Sequence, residues 1–334
     1  MNSSIEYTYV ALDIGARSHA FACEYQGRRS TGTVANDPTA LRAFLAAQHR
    51  GRGTLRVLME ATGLYYLDVA LLASELGAEV SVINPRVAHH FAQVWQQRSK
   101  TDRLDALVLL ECLKRLPFTA WTAPPKNLLA LRAYGRYLVQ LTEERIAARN
   151  RLHALDSTRS SPAPLRADLR RFIASLDRRI ARLRAQALAL IEADPELQPR
   201  FHALDSIIGV AGNSAVSLLG ELLLLPRSLN ARACVCHAGL DPRLFDSGTS
   251  VHKAPRISRR GNRYLRRALF YPALAASRHD PYARAFKQRL LAHGKKKMQA
   301  NVALMRKLLT AAWIIVRDPQ PYDPTKLYAT LNAA

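Results

Sequence analysis

Cysteine is scarce in this 334-residue sequence, and the few cysteines present lack the spacing of a metal site. They are scattered at Cys23, Cys112, Cys234 and Cys236. The pair in "CVCH" has no second pair of ligands at the separation that a structural zinc site requires. We therefore interpret all four as reduced thiols in the core.

Long apolar runs are also missing. No run approaches the roughly 18 to 20 residues that span a membrane. The N-terminus, "MNSSIEYTYVALDIGA", has no basic region ahead of an apolar one, so it does not have the pattern of a signal peptide. Hydrophobic residues make up 49% of the chain, which is enough to build real cores, and the length exceeds the usual size of one domain. We expect a soluble cytoplasmic protein of two or three domains.

Acidic residues are few in the C-terminal part, which leaves a large positive charge there. Lys and Arg number 13 against 11 Asp and Glu in residues 1–125, 15 against 8 in residues 126–200, and 21 against 7 in residues 201–334. Because Lys and Arg displace condensed counterions from phosphates, this distribution predicts a nucleic-acid partner. A basic membrane-surface helix would need a large apolar face, whereas these basic residues are spread over several predicted elements. The candidate nucleic-acid-binding residues are Lys253, Arg256, Arg259, Arg260, Arg263, Arg266, Arg267, Lys295, Lys296 and Lys297.

The first 122 residues alternate strand and helix patterns. "YTYVALDIGA" (7–16) is β-branched and aromatic up to a glycine, and residues 19–36 have the pattern of two strands around a Gln-Gly turn. Helices and buried strands then follow to give the order β-β-β-α-β-α-β-α-α. This order predicts an α/β domain with a mixed sheet flanked by helices. Two prolines in "TAPPKN" (122–127) mark its end.

The remainder is predicted to be helical. Up to about residue 195, Leu, Ala and Ile recur at helical spacing among Arg and Glu, broken once at 156–164, which predicts two long antiparallel helices that form a coiled coil. The last segment is interpreted as all-helical, with an irregular loop at 241–258. The predicted domains are therefore 1–122, an assembly region at 123–198, and 199–334.

Four acidic residues of the first domain could share one site. Asp13 lies in the strand "VALDIGA", where a carboxylate is costly unless it is compensated, and Glu60 ends the buried strand "VLMEATG". Asp102 and Asp105 in "SKTDRLDA" are three residues apart, so both can lie on one helix face. Two interpretations of that pair stay open. Asp102 caps the helix and both acids suit its positive end, or all four carboxylates bind two divalent cations such as Mg²⁺.

Several motifs together resemble the insertion sequence one-hundred-ten family of transposases, whose relatives include the Piv-type DNA invertases. They are "ALDIGA", "MEATGLY", "VSVINP", "KTDRLDA", "HAGLDPR", "DSGTSV" and "GNRYLRRALFYPA". The resemblance implies a DEDD/serine recombinase guided by a structured bridge RNA and located in the bacterial cytoplasm at the nucleoid. It implies an RNase H-like N-terminal domain whose acidic tetrad matches Asp13, Glu60, Asp102 and Asp105, with Mg²⁺ or, in its place, Mn²⁺ as cofactor. It also implies a C-terminal transposase domain whose nucleophilic serine matches Ser247, and a homo-oligomer, a dimer or a tetramer, that acts on donor and target DNA.

Ser247 on its own would be an ordinary loop serine. Gly248 follows it and frees the backbone, and several basic residues after it can neutralise a phosphate. No His-Asp pair brackets it, so its hydroxyl would need a metal or a distant base. The sequence also departs from the family pattern at Ala211 and at His252-Lys253. The alternatives are a junction-cleaving metal nuclease in which Ser247 is structural, and a basic nucleic-acid-binding protein whose acids only stabilise the fold.

Overall fold

The chain divides into two units at the predicted Pro-Pro boundary. The computed structural model describes residues 6–49, 53–61, 63, 65–95, 101–247 and 251–328, without the side chains of 244–247 and 251–255. Unit 1 is Met1–Ala123 and unit 2 is Pro124–Ala334. Of the predicted assembly region at 123–198, all residues from 124 onward belong to unit 2, and its role as a separate assembly region stays a prediction.

Unit 1 is a five-stranded mixed sheet with helices on both faces, in the predicted element order. Its elements are β1 (Tyr7–Asp13), β2 (Ser18–Tyr25), β3 (Arg28–Ala35), α1 (Pro38–His49), β4 (Thr54–Glu60), α2 (Tyr65–Glu75), β5 (Glu79–Ile83), α3 (Pro85–Val94) and α4 (Asp102–Arg115). The strand order is β3-β2-β1-β4-β5. The three N-terminal strands are antiparallel, and β4 and β5 run parallel to β1. The predicted Gln-Gly turn joins β2 and β3, with positive φ at Gln26 and Gly27.

The two faces of this sheet bury different residues because side chains alternate along a strand. Val10, Leu12 and Met59 pack in a core with α1 and α2. The intervening residues Ala11 and Leu58 pack with Ala106, Leu109 and other residues of α4. The α4 face is lined by small residues on β1 and β2, which lets the helix approach the sheet closely.

Unit 2 begins with two long helices that form an antiparallel hairpin, α5 (Lys126–Asp156) and α6 (Ala163–Glu192). Polar pairs along its length fix the direction: Asn127 at one end contacts Asp194, while Arg145 pairs with Asp177 at 2.9 Å towards the other. The shorter elements that follow are α7 (Leu197–Asp205), α8 (Asn213–Leu222), α9 (Ala231–His237), β6 (Pro242–Ser247), β7 (Val251–Ile257), α10 (Arg263–His279), α11 (Pro281–Ala292), α12 (Lys297–Arg317) and α13 (Pro324–Leu327). One apolar core, which includes Leu138, Leu218 and Leu308, joins these helices to the hairpin.

The prediction of an irregular loop at 241–258 in an all-helical segment was wrong, because β6 and β7 form an antiparallel pair there. Its register shifts by one residue between Arg243 and Phe245, which leaves Ala254 and Pro255 opposite the single residue Leu244. A proline cannot donate to a strand ladder, and it is tolerated at such a bulge or at the first residue of a strand, where Pro242 lies. The two prolines had hidden the strand pattern.

Two further expectations have clear outcomes. Among the described residues, no helix is both long and apolar enough to cross a membrane. Cys23, Cys112 and Cys234 are buried free thiols, and burial raises the pKa of both Cys112 and Cys234 to about 12. The expectation that all four cysteines lie in the core was wrong for Cys236, which is exposed on α9.

Candidate functional site

Asp13 and Glu60 end two neighbouring parallel strands of unit 1. Leu12 pairs in register with Met59, so each acid is the next residue along its strand. Both acids lie on the α4 face, because Asp13 follows Ala11 by two residues and Glu60 follows Leu58 by two. Both are half-buried. The sequence prediction that strand ends would bring these two residues together is consistent with this register.

The first turn of α4 lies towards the same end of the sheet, because an ion pair places the end of the helix near the start of β1 and its earlier residues pack along the sheet. Near the C-terminal end of α4, Lys114 pairs with Glu24 of β2. Glu24 is the register partner of Tyr9, near the start of β1. The nine residues from Lys114 back to Asp105 span about 13 Å of helix, and the four from Tyr9 to Asp13 span about 13 Å of strand. Because Ala106 and Leu109 also pack on this face, Asp105 lies towards the end of the sheet where Asp13 is, and we call this end of the α4 face the carboxylate edge.

A five-residue ionic network holds the opposite end of α4. Arg29 of β3 bonds to Glu24 at 2.5 Å and also to Glu111, and Arg115 bonds to Glu111 at 2.9 Å. Burial alone would raise the pKa of both carboxyls, but hydrogen bonds from Lys114 and Arg29 outweigh burial at Glu24, and bonds from Arg115 and Arg29 outweigh it at Glu111. Both pKa values are therefore lowered, and the network stays charged while it orients α4.

Thr101, and not Asp102, caps α4. The Thr101 hydroxyl accepts a hydrogen bond from the Leu104 amide at 3.3 Å, and Asp102 is the first residue of the helix. The interpretation of Asp102 as the capping residue was therefore wrong. Asp102 is exposed and Asp105 is half-buried, three residues apart in the first turn. Their carboxylates suit the positive end of the helix dipole, but the cap does not require them.

The four carboxylates fit an oxygen-donor site by their chemistry. Hard cations such as Mg²⁺ take carboxylate oxygens as ligands. In the part of the chain that the structure describes, no three His, Cys, Asp or Glu side chains lie close enough together to hold a metal ion. Binding one would therefore require a shift of these side chains.

Ser247 is the last residue of β6, and its backbone pairs with Val251 at the start of β7. It therefore lies where the strand pair reaches its connecting residues. Residues 248–250, and the side chains of Ser247 and Lys253, lie outside what the structure describes. At the other end of the pair, Asp241 accepts hydrogen bonds from the Ser258 hydroxyl at 2.6 Å and the Ser258 amide at 2.9 Å. These two bonds hold the ends of the hairpin together.

The basic residues predicted to bind nucleic acid differ in their surroundings. Most are exposed: Arg256, Arg259, Arg260, Arg263, Arg267, Lys295, Lys296 and Lys297. Arg267 pairs with Glu143 of α5 at 2.8 Å, and Arg263 bonds to the Tyr264 hydroxyl at 3.1 Å. Arg266 donates to the carbonyl of Ala238 at 2.7 Å, and burial, followed by the charges of Arg259 and Arg267, lowers its pKa. Arg266 therefore has a structural role in addition to its predicted role in nucleic-acid binding.

Sequence reasoning missed a buried polar cluster beneath the N-terminus of α10. Glu221 of α8, only 5% exposed, accepts two bonds from Arg136 of α5, at 2.5 and 3.1 Å. It also accepts one from Asn262 at 2.6 Å. Asn262 in turn caps α10 through the amides of Tyr264 and Leu265. The cluster ties three helices together beside the strand pair, and the only signal for it was one acid within the apolar run "LLGELLL".

Comparison with known proteins gives the family. Residues 10–157 match the family model described as a transposase of the DEDD type found in IS110, and residues 201–288 match the model described as the transposase IS116/IS110/IS902 family. The pilin gene-inverting protein of Moraxella bovis is 30% identical over 320 residues, which cover 95% of this chain and 98% of that protein. The chain belongs to the IS110 family of transposases.

As a member of this family the chain is an enzyme that acts on DNA. The pilin gene-inverting protein of Moraxella lacunata is similar to the same extent, at 30% identity over 320 residues. An uncharacterized 43.6 kDa protein of the insertion element IS110 from Streptomyces coelicolor is 36% identical over 144 residues, which cover 42% of this chain and 34% of that protein. The prediction of the family from sequence motifs is thereby confirmed. The interpretation as a non-catalytic binding protein was wrong.

Proposed function

We propose that this transposase cuts and exchanges DNA strands through a phosphoserine link at Ser247, with Mg²⁺ bound at the carboxylate edge and a structured RNA as guide. The proposal rests on two positions: Asp13 and Glu60 lie at the ends of neighbouring parallel strands, and Asp102 and Asp105 lie in the first turn of the helix that packs on the same face. The relatives named for inverting a pilin gene support strand exchange as the reaction.

The strand order supports an RNase H-like assignment for unit 1. Three antiparallel strands followed by two parallel ones in the order β3-β2-β1-β4-β5, with an acid at the end of the central strand, are the arrangement that the assignment requires. In such a sheet the carboxyl ends of β1 and β4 lie side by side. The first acid is thus provided by β1, the second by β4, and the other two by α4.

The four carboxylates would hold Mg²⁺ or Mn²⁺. Cations bound there would ease deprotonation of the attacking oxygen and would neutralise negative charge on the leaving oxygen. The protein's own contribution is orientation. The Arg29, Glu24, Glu111 and Lys114 network fixes the far end of α4, so the first turn of the helix is presented to β1 and β4.

In the proposed step the Ser247 oxygen attacks the phosphorus of a DNA phosphodiester. One phosphorus–oxygen bond forms to serine and the bond to the departing deoxyribose oxygen breaks. The serine proton goes to solvent or to a carboxylate, and the departing oxygen takes up a proton. The phosphodiester count is unchanged, so rejoining to another strand needs no nucleotide hydrolysis. Because no base flanks Ser247 in the sequence, we propose that the carboxylate edge of another subunit activates it.

The positive charge of unit 2 supports DNA and RNA as partners, and its exposed apolar residues support contacts between subunits. Unit 2 contains 36 Lys or Arg and 15 Asp or Glu, enough to bind both DNA and a guide RNA. The α5–α6 hairpin exposes Leu165 and Phe172, seven residues apart on α6, and Tyr137 on α5. Apolar residues at a heptad interval on an exposed helix favour a helix–helix contact. We therefore propose that the hairpin is a coiled coil that joins subunits into a dimer or tetramer.

The test is purification of the full chain with its bound nucleic acid retained. Sequencing should recover one discrete structured RNA, and the complex should exchange strands between DNA duplexes matched to that RNA when Mg²⁺ is present and not after chelation. The duplexes should carry the DNA that flanks the chain's own coding sequence. Recovery of only heterogeneous RNA, together with cleavage that needs no RNA, would leave the carboxylate-only junction nuclease as the better assignment.

A further inference from the structure

Three exposed arginines surround the carboxylate edge, and none belongs to the basic set predicted from the sequence. Arg17 lies in the turn between β1 and β2, Arg86 in the first turn of α3, and Arg103 in the first turn of α4. Unit 1 is nearly neutral, with 13 Lys or Arg and 11 Asp or Glu up to residue 125. A local group of cations there is therefore not part of the general positive charge of unit 2.

Each arginine is adjacent to one carboxylate-bearing segment. Arg17 follows Asp13 by four residues, and Arg103 is next to Asp102. Arg86 comes three residues after Ile83, and Ile83 is the register partner of Glu60. An arginine therefore lies at this end of the sheet, close in sequence or in strand register to each of the three segments that provide acids.

Hydrogen bonds hold the backbone at all three positions. The Arg17 carbonyl accepts from the Asn36 amide at 2.9 Å, and the Asn36 side chain also bonds to the Ala16 carbonyl. The Asn84 side chain caps α3 by accepting from the Arg86 amide at 3.0 Å. Arg103 lies in the turn capped by Thr101. The arginines therefore project from fixed points rather than from loose connections.

These arginines make no ion pair or hydrogen bond through their side chains within the described part of the chain. This contrasts with the opposite end of the same face, where Arg29 and Lys114 are both engaged with carboxylates. Arginines that lie beside acids and yet make no salt bridge retain their full capacity for another anion. A guanidinium matches the oxygens of a phosphate in a two-bond geometry.

We propose that Arg17, Arg86 and Arg103 bind DNA backbone phosphates on either side of the bond that is cut, and hold that bond over the carboxylate edge. Four carboxylates repel a polyanion, and arginines beside them add to the compensation that bound Mg²⁺ would provide when a DNA strand approaches. The inference rests on the proposed function, since it assigns the substrate-positioning residues of the same site. The basic residues of unit 2 provide the overall affinity for DNA, and these three arginines position the bond that is cut.

The experiment compares Arg17→Gln, Arg86→Gln and Arg103→Gln with Arg28→Gln in the full chain with its RNA. Arg28 is the matched control, because it is exposed on the same unit but starts β3 at the opposite end of the sheet. Single-turnover cleavage at saturating DNA and DNA affinity are measured separately. We expect cleavage to slow by about tenfold for each arginine at the edge, the value of one charge-assisted contact. DNA affinity should change little, Arg28→Gln should match the parent, and lysine should restore part of the rate.

A neutral phosphate provides the decisive readout, because a purely structural role of an arginine would not respond to it. The parent protein should cleave DNA more slowly when a single methylphosphonate replaces a phosphate near the cut bond. The variant that lacks the matching arginine should show no further loss of cleavage rate with that DNA. The inference would be overturned if the rate loss from the methylphosphonate and the rate loss from the arginine substitution added in full at every phosphate. It would also be overturned if the variants at the carboxylate edge cleaved at the parental rate. Asp13→Asn is measured in parallel. If it abolishes cleavage while the arginine variants are unaffected, only this inference fails; if it cleaves normally, the proposed site fails and the inference falls with it.

Discussion

Asp13 and Glu60 end adjacent parallel strands, one residue beyond the register pair of Leu12 and Met59, and on the same face of the sheet. Neighbouring strands are about 4.8 Å apart, so the two carboxylates are held near each other by the backbone itself. Like charges at this separation repel unless a cation compensates them. Two carboxylates held this close by the backbone are suited to share a divalent cation.

Asp13, Asp102 and Asp105 should be needed for activity but not for folding. We expect Asp13→Asn, Asp102→Asn and Asp105→Asn each to abolish strand exchange, because each removes an oxygen ligand. Without Mg²⁺ the variants should be as stable as the parent or more stable, because like-charge repulsion is relieved. Strand exchange and thermal unfolding with and without Mg²⁺ are the measurements.

Asp68→Asn is the matched control for this series, since Asp68 is an exposed acid on α2, which packs on the other face of the sheet. It should exchange strands at the parental rate. Variants at the carboxylate edge that unfold readily, in a protein whose stability does not respond to Mg²⁺, would support a structural role for the acids.

Much of unit 1 could be predicted because its elements obey local rules. Val10 and Leu12 alternate with residues of the opposite face, a glycine follows α2 at Gly77, and Gln26-Gly27 provides the turn between β2 and β3. The element order follows from such signals, and with it the meeting of Asp13 and Glu60. The direction of α4 could not be predicted, because it depends on Glu24 and Lys114, which are 90 residues apart in the sequence.

The errors also have local causes. Thr101 and Asp102 are both good capping residues, and only the backbone shows that the helix begins after Thr101. Pro242 and Pro255 disguised the strand pair that contains Ser247, since a proline normally interrupts a strand. The exposure of Cys236 follows from its position on α9, two residues after the buried Cys234 and thus on another side of that helix.

Acid should weaken unit 1 through the network at the far end of α4. The folded pKa values of Glu24 and Glu111 lie below their ordinary value of 4.5, so the two carboxylates contribute stability above that pH. This contribution is lost as the pH falls below it and through the lowered folded values. Urea unfolding between pH 6 and pH 3 should show this loss of stability. Tryptophan emission monitors unfolding, and a Trp313→Phe background removes the tryptophan of unit 2 from the signal. The double variant Glu24→Gln, Glu111→Gln should be less stable at pH 6 and show a weaker pH dependence; an unchanged pH dependence would contradict the role of the network.

Glu221 should be a major stabilising residue of unit 2. Its carboxylate is 5% exposed and bonds to both Arg136 and Asn262, so Glu221→Ala leaves a guanidinium and a capping amide with fewer partners. We expect a loss of about 3 kcal/mol in the free energy of unfolding. Glu143→Ala is the control, because its pair with Arg267 is exposed on both sides and should cost about 0.5 kcal/mol or less. Chemical unfolding measures both, and equal losses would contradict the prediction.

Nucleic-acid affinity should reside in unit 2. Residues 1–125 have a surplus of two positive charges, whereas residues 126–334 have 36 basic residues and 15 acidic ones. We expect residues 124–334 to bind RNA and DNA with a steep salt dependence, and residues 1–123 to bind weakly at the same salt concentration. Binding titrations at several salt concentrations test this. Equal affinity of the two fragments at moderate salt would show that charge does not determine where nucleic acid binds.

Ser247 has the largest consequence for the mechanism. If its oxygen is the nucleophile, a nicked suicide DNA substrate should trap a protein–DNA adduct whose modified peptide contains Ser247, and Ser247→Ala should lose the adduct while it still binds RNA and DNA. Thr249→Ala and Ser250→Ala are the controls, since these residues neighbour Ser247 in the sequence and share its local charge. Asp13→Ala should also prevent the adduct, because no other activating group flanks the serine in the sequence. A Ser247→Ala protein that recombines DNA at the parental rate would show that the carboxylates act without a covalent intermediate at this serine.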